Sequence, residues 1–260
     1  MNKKNTENIL GYEISTLEKH DCIQKIYKWI KSGQKNKYFV CANPHSIEIA
    51  EHDEDFKTAI KSADLITPDG SGMVIASKIL DGKIRSRVTG SGVFRELSKK
   101  LNEEEQYSYF FLGSTQENLE KIEKKMSVDY PDIKIAGIYS PPFKSEFSKK
   151  NTDDMIQRIN SVKPDVLWVG MTAPKQEKWV YQNKNRLDVG FIGPVGAVFD
   201  FYVGTVQRSH PFFLKHGLEW LPRLVQQPKR LWKRMGVSAP KFVMRLLNQK
   251  IRTLNHKNMS

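Results

Sequence analysis

The sequence predicts an α/β fold, a mainly parallel sheet flanked by helices, followed by a basic helical C-terminal appendage. Three observations carry that prediction. Between about residue 36 and residue 204, short β-rich runs alternate with longer helical periods, the rhythm of strands joined by crossover helices. Several of those runs end in Gly, Asn, Pro or Asp, where a strand turns toward a helix. Beyond Gly204 the composition changes: residues 201–260 hold twelve Lys and Arg against one acid, Glu219, whereas residues 1–200 are nearly neutral at +2. The expected division is therefore an α/β domain over 1–204 and an appendage over 205–260.

Taken in order, the strands are "YFVCA" (38–42), "ADLITP" (63–68), "YSYFFLG" (107–113), "IKIAGIY" (133–139), "DVLWVG" (165–170) and "VGFIGPVG" (189–196). Helical periods cover 45–62, 71–80, 91–102, 115–129, 146–161 and 174–185, with Ser114 or Thr115 and Ser145 as N-caps. In the tail, Pro211, Pro222, Pro228 and Pro240 mark off pieces each too short to be a core helix of the sheet domain. The last piece, Pro240 to Leu254, places Val243, Leu246, Leu247, Ile251 and Leu254 on one stripe, with Lys241, Arg245, Asn248, Gln249 and Arg252 elsewhere.

Composition narrows the function classes. A chain of 260 residues, 39% hydrophobic, buries a substantial core, and no repeat or low-complexity tract interrupts it. The longest apolar stretches, such as "FIGPVGAVF" (191–199), fall well short of the roughly 20 residues that span a bilayer. The start, "MNKKNTENIL", lacks the apolar segment of a secretory signal. Two cysteines, Cys22 and Cys41, without a CxxC pattern point to a reducing cytoplasm, and six scattered histidines give no metal-ligand spacing. The net charge of +13, gathered in the tail, calls for a polyanionic partner: nucleic acid, phosphates or the anionic inner face of a membrane.

In an open α/β sheet, ligands sit at the carboxyl ends of the strands, so the loops holding Asn43, Asp69, Gly113, Gly170 and Gly196 should converge. "LITPDGSGMVIASK" (65–78) is a strand ending at Asp69, then a Gly-Ser-Gly turn opening a helix, whose amides suit a phosphate; the competing account makes Asp69 a simple N-cap. "RSRVTGSG" (85–92) adds Arg87 and a second Gly-rich turn. A carboxylate that removes a proton and a guanidinium that holds a developing anion are the parts that transfer from an activated phosphate ester requires. "VGMTAPKQEKWV" (169–180) brings Lys175, Gln176 and Glu177 to a helix start; Gln176, without intrinsic reactivity, is assigned binding, and a solvated charged first turn competes. No Gly-x-Ser-x-Gly elbow, Walker A pattern or GxGxxG with a downstream acid appears, which removes the usual support for hydrolase and nicotinamide-dehydrogenase readings.

The blocks "ANPHSIEIA", "TPDGSGMV", "RVTGSG", "YFFLGS", "GIYSPPF", "APKQE", "GPVGAVFDFYVGTVQRSHPFF" and "GLEWLPRLVQQPKRLWKR", in order from Tyr38 to Arg234, together resemble the WecG/TagA/CpsF glycosyltransferases, glycosyltransferase family 26. The resemblance implies a Rossmann-like transferase that moves an N-acetylmannosamine-type sugar, or its uronic acid, from a UDP-sugar donor to a polyprenyl-diphosphate-linked sugar acceptor. The reaction would invert the anomeric centre and need no metal or other cofactor, at the cytoplasmic face of the cell membrane, in teichoic acid or other envelope polysaccharide synthesis. On that resemblance Asp69 is the catalytic base, Asn43 orients sugar hydroxyls beside Cys41, and Arg87 and Gln176 contact donor or acceptor. The appendage closes over the site and touches the anionic membrane surface, with Arg223, Arg230 and Lys233 supplying charge to the leaving diphosphate.

The chain departs from the family pattern at Cys41, where many members have Thr, at Gly90-Ser91-Gly92-Val93, at Thr172 and at Lys233. These changes leave the donor open, with a glucosyltransferase of capsule or exopolysaccharide synthesis as the alternative. A basic nucleic-acid-binding module would explain the charge but leaves "TPDGSG" and "APKQE" without a purpose, so nucleic acid is not an expected partner. Exposed apolar surface in the tail would serve lipid or self-association into a homo-oligomer equally well.

Overall fold

The computed structural model describes residues 5–104, 106–206 and 233–258. A hairpin comes first: β1 (Thr6–Ile9) and β2 (Tyr12–Ser15) pair antiparallel around Leu10 and Gly11, whose φ values of 53° and 85° are both left-handed. A two-residue turn of that kind matches the twist of its strands. Helix α1 (Lys19–Lys31) then buries a stripe of Cys22, Ile23, Ile26, Tyr27 and Ile30. The expected alternation begins at residue 36 and so omits both hairpin and helix.

The main sheet contains β3 (Lys37–Ala42), β4 (Leu65–Pro68), β5 (Ser108–Gly113), β6 (Lys134–Tyr139), β7 (Val166–Gly170) and β8 (Phe191–Pro194). Their order is β4-β3-β8-β7-β5-β6, and every neighbouring pair is parallel. Each strand falls inside or overlaps an expected run. The central strands are near-continuous apolar segments because helices cover both of their faces.

Those helices are α2 (Pro44–Ala50), α3 (Glu54–Lys61), α4 (Ser71–Ile79), α5 (Gly90–Asn102), α6 (Gln116–Asp129), α7 (Lys149–Val162), α8 (Lys175–Asn183) and α9 (Val198–Val203). The single helix expected over 45–62 is two, because Asp53 leaves helical geometry and accepts from the Phe56 amide at 3.0 Å, starting α3 afresh. Thr115 caps α6 as expected. At α7 the cap is Ser148 rather than Ser145, accepting from Asn151 at 3.2 Å.

One layer packs Ile47, Phe56, Ile60, Met73, Ile156 and Val180 against the sheet; the other packs Ile26, Val93, Leu97, Leu119, Ile122 and Phe199. Crossovers running toward β4 (β3 to β4, β6 to β7, β7 to β8) thus use α2, α3, α7 and α8 on one face. Those running toward β6 use α5 and α6 on the other, as right-handed connections require. Neighbouring strands β3 and β8 are followed by helices on opposite faces, α2 and α9. The two chains therefore leave the sheet in opposite directions, and such a topological switch point is where open α/β sheets bind ligands.

The C-terminal piece corrects an expectation. A π-helical turn (Lys233–Ser238) leads into α10 (Ala239–Asn258), which is long enough to pack on the domain. Phe242 and Leu246 are buried against the layer that holds α2 and α4. Arg245 bridges Glu48 at 2.9 Å and Glu51 at 3.0 Å, and Gln249 bonds the Leu10 amide at 2.8 Å and the Asn8 carbonyl at 3.0 Å. The stripe expected as one face is split: Leu246 joins Phe242 inside, while Val243, Leu247, Ile251 and Leu254, with Met244, are exposed. Leu246 and Leu247 are successive residues, about 100° apart around the helix, so the domain takes one edge of the stripe and leaves the other open.

Candidate active site

Asn43 and Asp69 lie one step beyond the last registered pair of β3 and β4, Ala42 with Pro68, and the Asp69 amide continues the ladder by donating to the Ala42 carbonyl at 2.8 Å. Parallel pairing thus sets them side by side at the carboxyl edge of the sheet. The helices that follow are pressed together: a Cβ on Gly72 would stand 2.6 Å from Pro44 Cγ, so only glycine lets α4 begin so close to α2.

The N-cap of α4 is Gly70, at φ 87°, with no side-chain cap. Asp69 therefore stands one residue before the cap, and the account that made it an ordinary capping group does not hold. Asn43, by contrast, is a cap: its Oδ1 accepts from the Ser46 amide at 3.0 Å while the Ser46 hydroxyl closes the box. That box fixes the Asn43 side chain at the cleft and commits its carbonyl oxygen, leaving Nδ2 as the remaining donor.

Arg87, half-buried, arrives on the segment before α5, which docks on β4 through the Val88 amide and the Pro68 carbonyl at 2.8 Å. Gly90, which opens α5, is buried against β3: a Cβ there would lie 3.4 Å from Cys41 Sγ. Cys41 itself neighbours Thr67, whose hydroxyl is 3.6 Å from the sulfur. Burial raises its thiol well above the ordinary value, and the Asp69 carboxylate raises it further. The thiol stays neutral there.

The fourth wall comes from β7, the Thr172–Pro174 loop and α8. Gln176 is 4% exposed and Glu177 5%, so this helix start is no solvated turn. The amide of Gln176 abuts Gly196 after β8, 3.5 Å from where a Cβ would sit. Its Nε2 donates to Glu177 Oε1 at 2.8 Å, and burial pushes the Glu177 carboxyl up to about 7. Glu177 was not among the expected site residues. The signal was present in the phase of α8, where Gln176, Val180 and Asn183 share a face and Glu177 stands beside it, so the burying stripe passes over both polar groups. A further carboxyl without an expected role, Asp200 on α9, takes a bond from Asn118 Nδ2 at 2.9 Å and is raised by burial.

The structure thus brings Cys41, Asn43, Asp69, Arg87 and Gln176 to one edge of the sheet. Arg223 and Arg230 lie outside the described residues, and Lys233 is the first residue of the turn before α10. The end of that turn reaches the cleft's border: Ser238 Oγ and His45 Nδ1 are 2.9 Å apart, two residues after Asn43. Among the described residues no group of three His, Cys, Asp or Glu side chains is placed to hold a metal ion.

The sequence profile of the glycosyl transferase WecG/TagA/CpsF family matches residues 7–256, nearly the whole chain. The chain belongs to this family. It is accordingly a glycosyltransferase, and its similarity to individual members covers most of the chain. It is 30% identical over 236 residues, 91% of this chain and 85% of the relative, to N-acetylglucosaminyldiphosphoundecaprenol N-acetyl-beta-D-mannosaminyltransferase of Bacillus subtilis (strain 168). With the protein of the same description from Bacillus spizizenii it shares 30% over 213 residues, covering 82% and 79% of the two chains. The Staphylococcus aureus (strain MW2) counterpart is 27% identical over 246 residues, covering 94% and 92%. As in this family's resemblance to the strand-end blocks, the matched span includes all of the residues placed at the cleft and α10 up to His256.

Proposed function

We propose that this glycosyltransferase moves an N-acetylmannosamine-type sugar from a UDP-linked donor to an undecaprenyl-diphosphate-linked N-acetylglucosamine, as a step of teichoic acid synthesis. The observation that carries the reading is Asp69, set beside Asn43 at the carboxyl edge of the sheet and spared from capping its helix. The carboxylate takes the proton of the acceptor hydroxyl as that oxygen attacks the anomeric carbon from the face opposite UDP. The bond from that carbon to the β-phosphate oxygen breaks, its electron pair leaves with UDP, and the configuration inverts. Arg87, on the segment docked to β4, would lend positive charge to this chemistry, and Arg223, Arg230 and Lys233 would add charge against the leaving diphosphate. Asn43 Nδ2 and Gln176 hold sugar oxygens, and no metal is required.

The exposed apolar row of α10, flanked by Lys241 and Arg252 and carrying no acid, suits an anionic membrane surface, where the lipid-linked acceptor resides. Among the described residues no helix is long and apolar enough to cross a membrane. The attachment we propose is therefore peripheral, at the inner face of the cell membrane. The test is Asp69→Asn assayed with a panel of UDP-sugars and a short-chain prenyl-diphosphate-linked N-acetylglucosamine. Transfer should fall by about 10²–10⁴ while UDP binding persists. Turnover within a fewfold of wild type would overturn the assignment.

A further inference from the structure

Gln176 and Glu177 form an enclosed polar pair at the start of α8, 4% and 5% exposed, and neither is fully satisfied. One hydrogen bond joins them, Nε2 to Oε1 at 2.8 Å, while Gln176 Oε1 and Glu177 Oε2 are buried with no hydrogen-bond partner among the described residues. Buried polar atoms in native proteins are nearly always paired, so two orphaned acceptors side by side call for a donor from beyond the described residues, such as a bound ligand. The pair faces the cleft from two directions: Gln176 abuts Gly196 at the end of β8, and the Glu177 charge is felt at Cys41 on β3.

We infer that Glu177 is a positioning residue: its carboxyl decides which end of the Gln176 amide is presented to the sugar. The inference rests on the transferase reading above. An amide has a donor end and an acceptor end, and here a single partner chooses between them. As a carboxylate, Glu177 accepts from Nε2 and leaves Gln176 Oε1, beside Gly196, as the end of the amide offered to a sugar hydroxyl or an acetamido N–H. As a carboxylic acid it can donate to Oε1 instead, which exchanges the two ends of the amide and presents the Nε2 donor to the same substrate atom. The substrate group then meets N–H instead of oxygen, a mismatch that weakens binding or misorients the sugar.

Burial holds the Glu177 carboxyl at about 7, so the exchange falls within the working pH range. Around it, Cys41 on β3 stays a neutral thiol and Asp69 ends β4. On α8 itself Lys178 is engaged by Asp53 at 3.1 Å and Asp55 at 3.8 Å beside α3, and Lys175 lies over the Phe147 ring with its Nζ donating to the Lys144 carbonyl. In the turn after α8, Lys184 covers Tyr38 and Arg186 pairs with Asp153 at 2.5 Å. Each of these cations is engaged elsewhere, so among the described residues the hydrogen bond from Gln176 is the side-chain contact that favours the Glu177 carboxylate.

The test follows the Gln176 side-chain amide by nitrogen-15 NMR in the full chain, its resonance identified by its loss in Gln176→Ala, from about pH 5.5 to 8.5. The resonance should titrate with a midpoint near 7 in wild type and remain still in Glu177→Gln, which keeps the accepting oxygen but cannot ionise. In parallel, kcat/KM for transfer should rise about tenfold from pH 6 to pH 8 in wild type and lose that limb in Glu177→Gln. Glu177→Ala should be about tenfold lower at every pH, its fold checked by thermal melting. A Gln176 amide that does not titrate in an active enzyme, or that titrates alike in Glu177→Gln, overturns this inference alone. A titrating amide in a chain that transfers from no UDP-sugar overturns the transferase reading alone.

Discussion

Replacing Leu246 by Ala tests how α10 is seated. Leu246 is 1% exposed and, with Phe242, belongs to the core layer shared by α2 and α4, whereas Leu247 beside it is 47% exposed. Large-to-small changes at enclosed leucines cost about 2–5 kcal/mol, the cost rising with the cavity that remains. Because α10 packs from one side only and its outer row is open, the site can partly collapse, and the lower end of that range applies, about 2–3 kcal/mol. Leu247→Ala removes the same atoms from a solvated position and should cost no more than about 0.5 kcal/mol. Urea unfolding followed by tryptophan fluorescence, with matched m-values, reads both differences. Equal costs, or a larger cost for Leu247, would mean that the helix presents the whole leucine stripe to the domain, as the sequence pattern alone suggests, and would refute the seating described above.

The same open row should govern attachment to lipid: Leu247→Ser with Ile251→Ser should abolish co-sedimentation with anionic vesicles while leaving the unfolding midpoint nearly unchanged, and retained binding would remove α10 from that role. The carboxyl of Glu177 is raised from 4.5 to about 7, so the folded chain holds a proton that the unfolded chain has already lost between those values. Stability from this group is therefore full below about pH 4.5 and declines as pH rises to 7, by about 3 kcal/mol in all. Glu177→Gln should thus gain stability over wild type at pH 8 and little at pH 5; a gain independent of pH would contradict the burial that raises this group. Transfer measured in excess EDTA should match that in added magnesium, and a metal requirement restored by titration would show that cations of the chain do not carry the leaving diphosphate unaided.

The strands were legible because burial on both faces forces continuous apolar runs, and β5 and β7 announce themselves as "SYFFLG" and "VLWVG". Asp69, Asn43 and Gln176 were legible as polar residues at strand ends, where parallel topology brings loops together. Glu177 was harder to read: the phase of α8 sets it beside the buried stripe of Gln176, Val180 and Asn183, but a carboxylate in a first helical turn is not by itself distinguished from a solvated one. The division at Asp53 was not legible, since a capping bond there outweighs a continuous helical period.

By itself the sequence determined the alternation that makes a parallel α/β sheet, the polar residues at its strand ends, and the concentration of positive charge in the last sixty residues. These are properties of local pattern, fixed by which residues sit next to which. Tertiary structure alone decided that β8 inserts beside β3, so that Gly196 meets Gln176 and a switch point opens next to Asn43 and Asp69. It also decided which edge of the α10 stripe is covered and which is left bare. The physical reason is common to these cases: burial and proximity depend on segments far apart in the chain, and one residue's solvent is another element's surface.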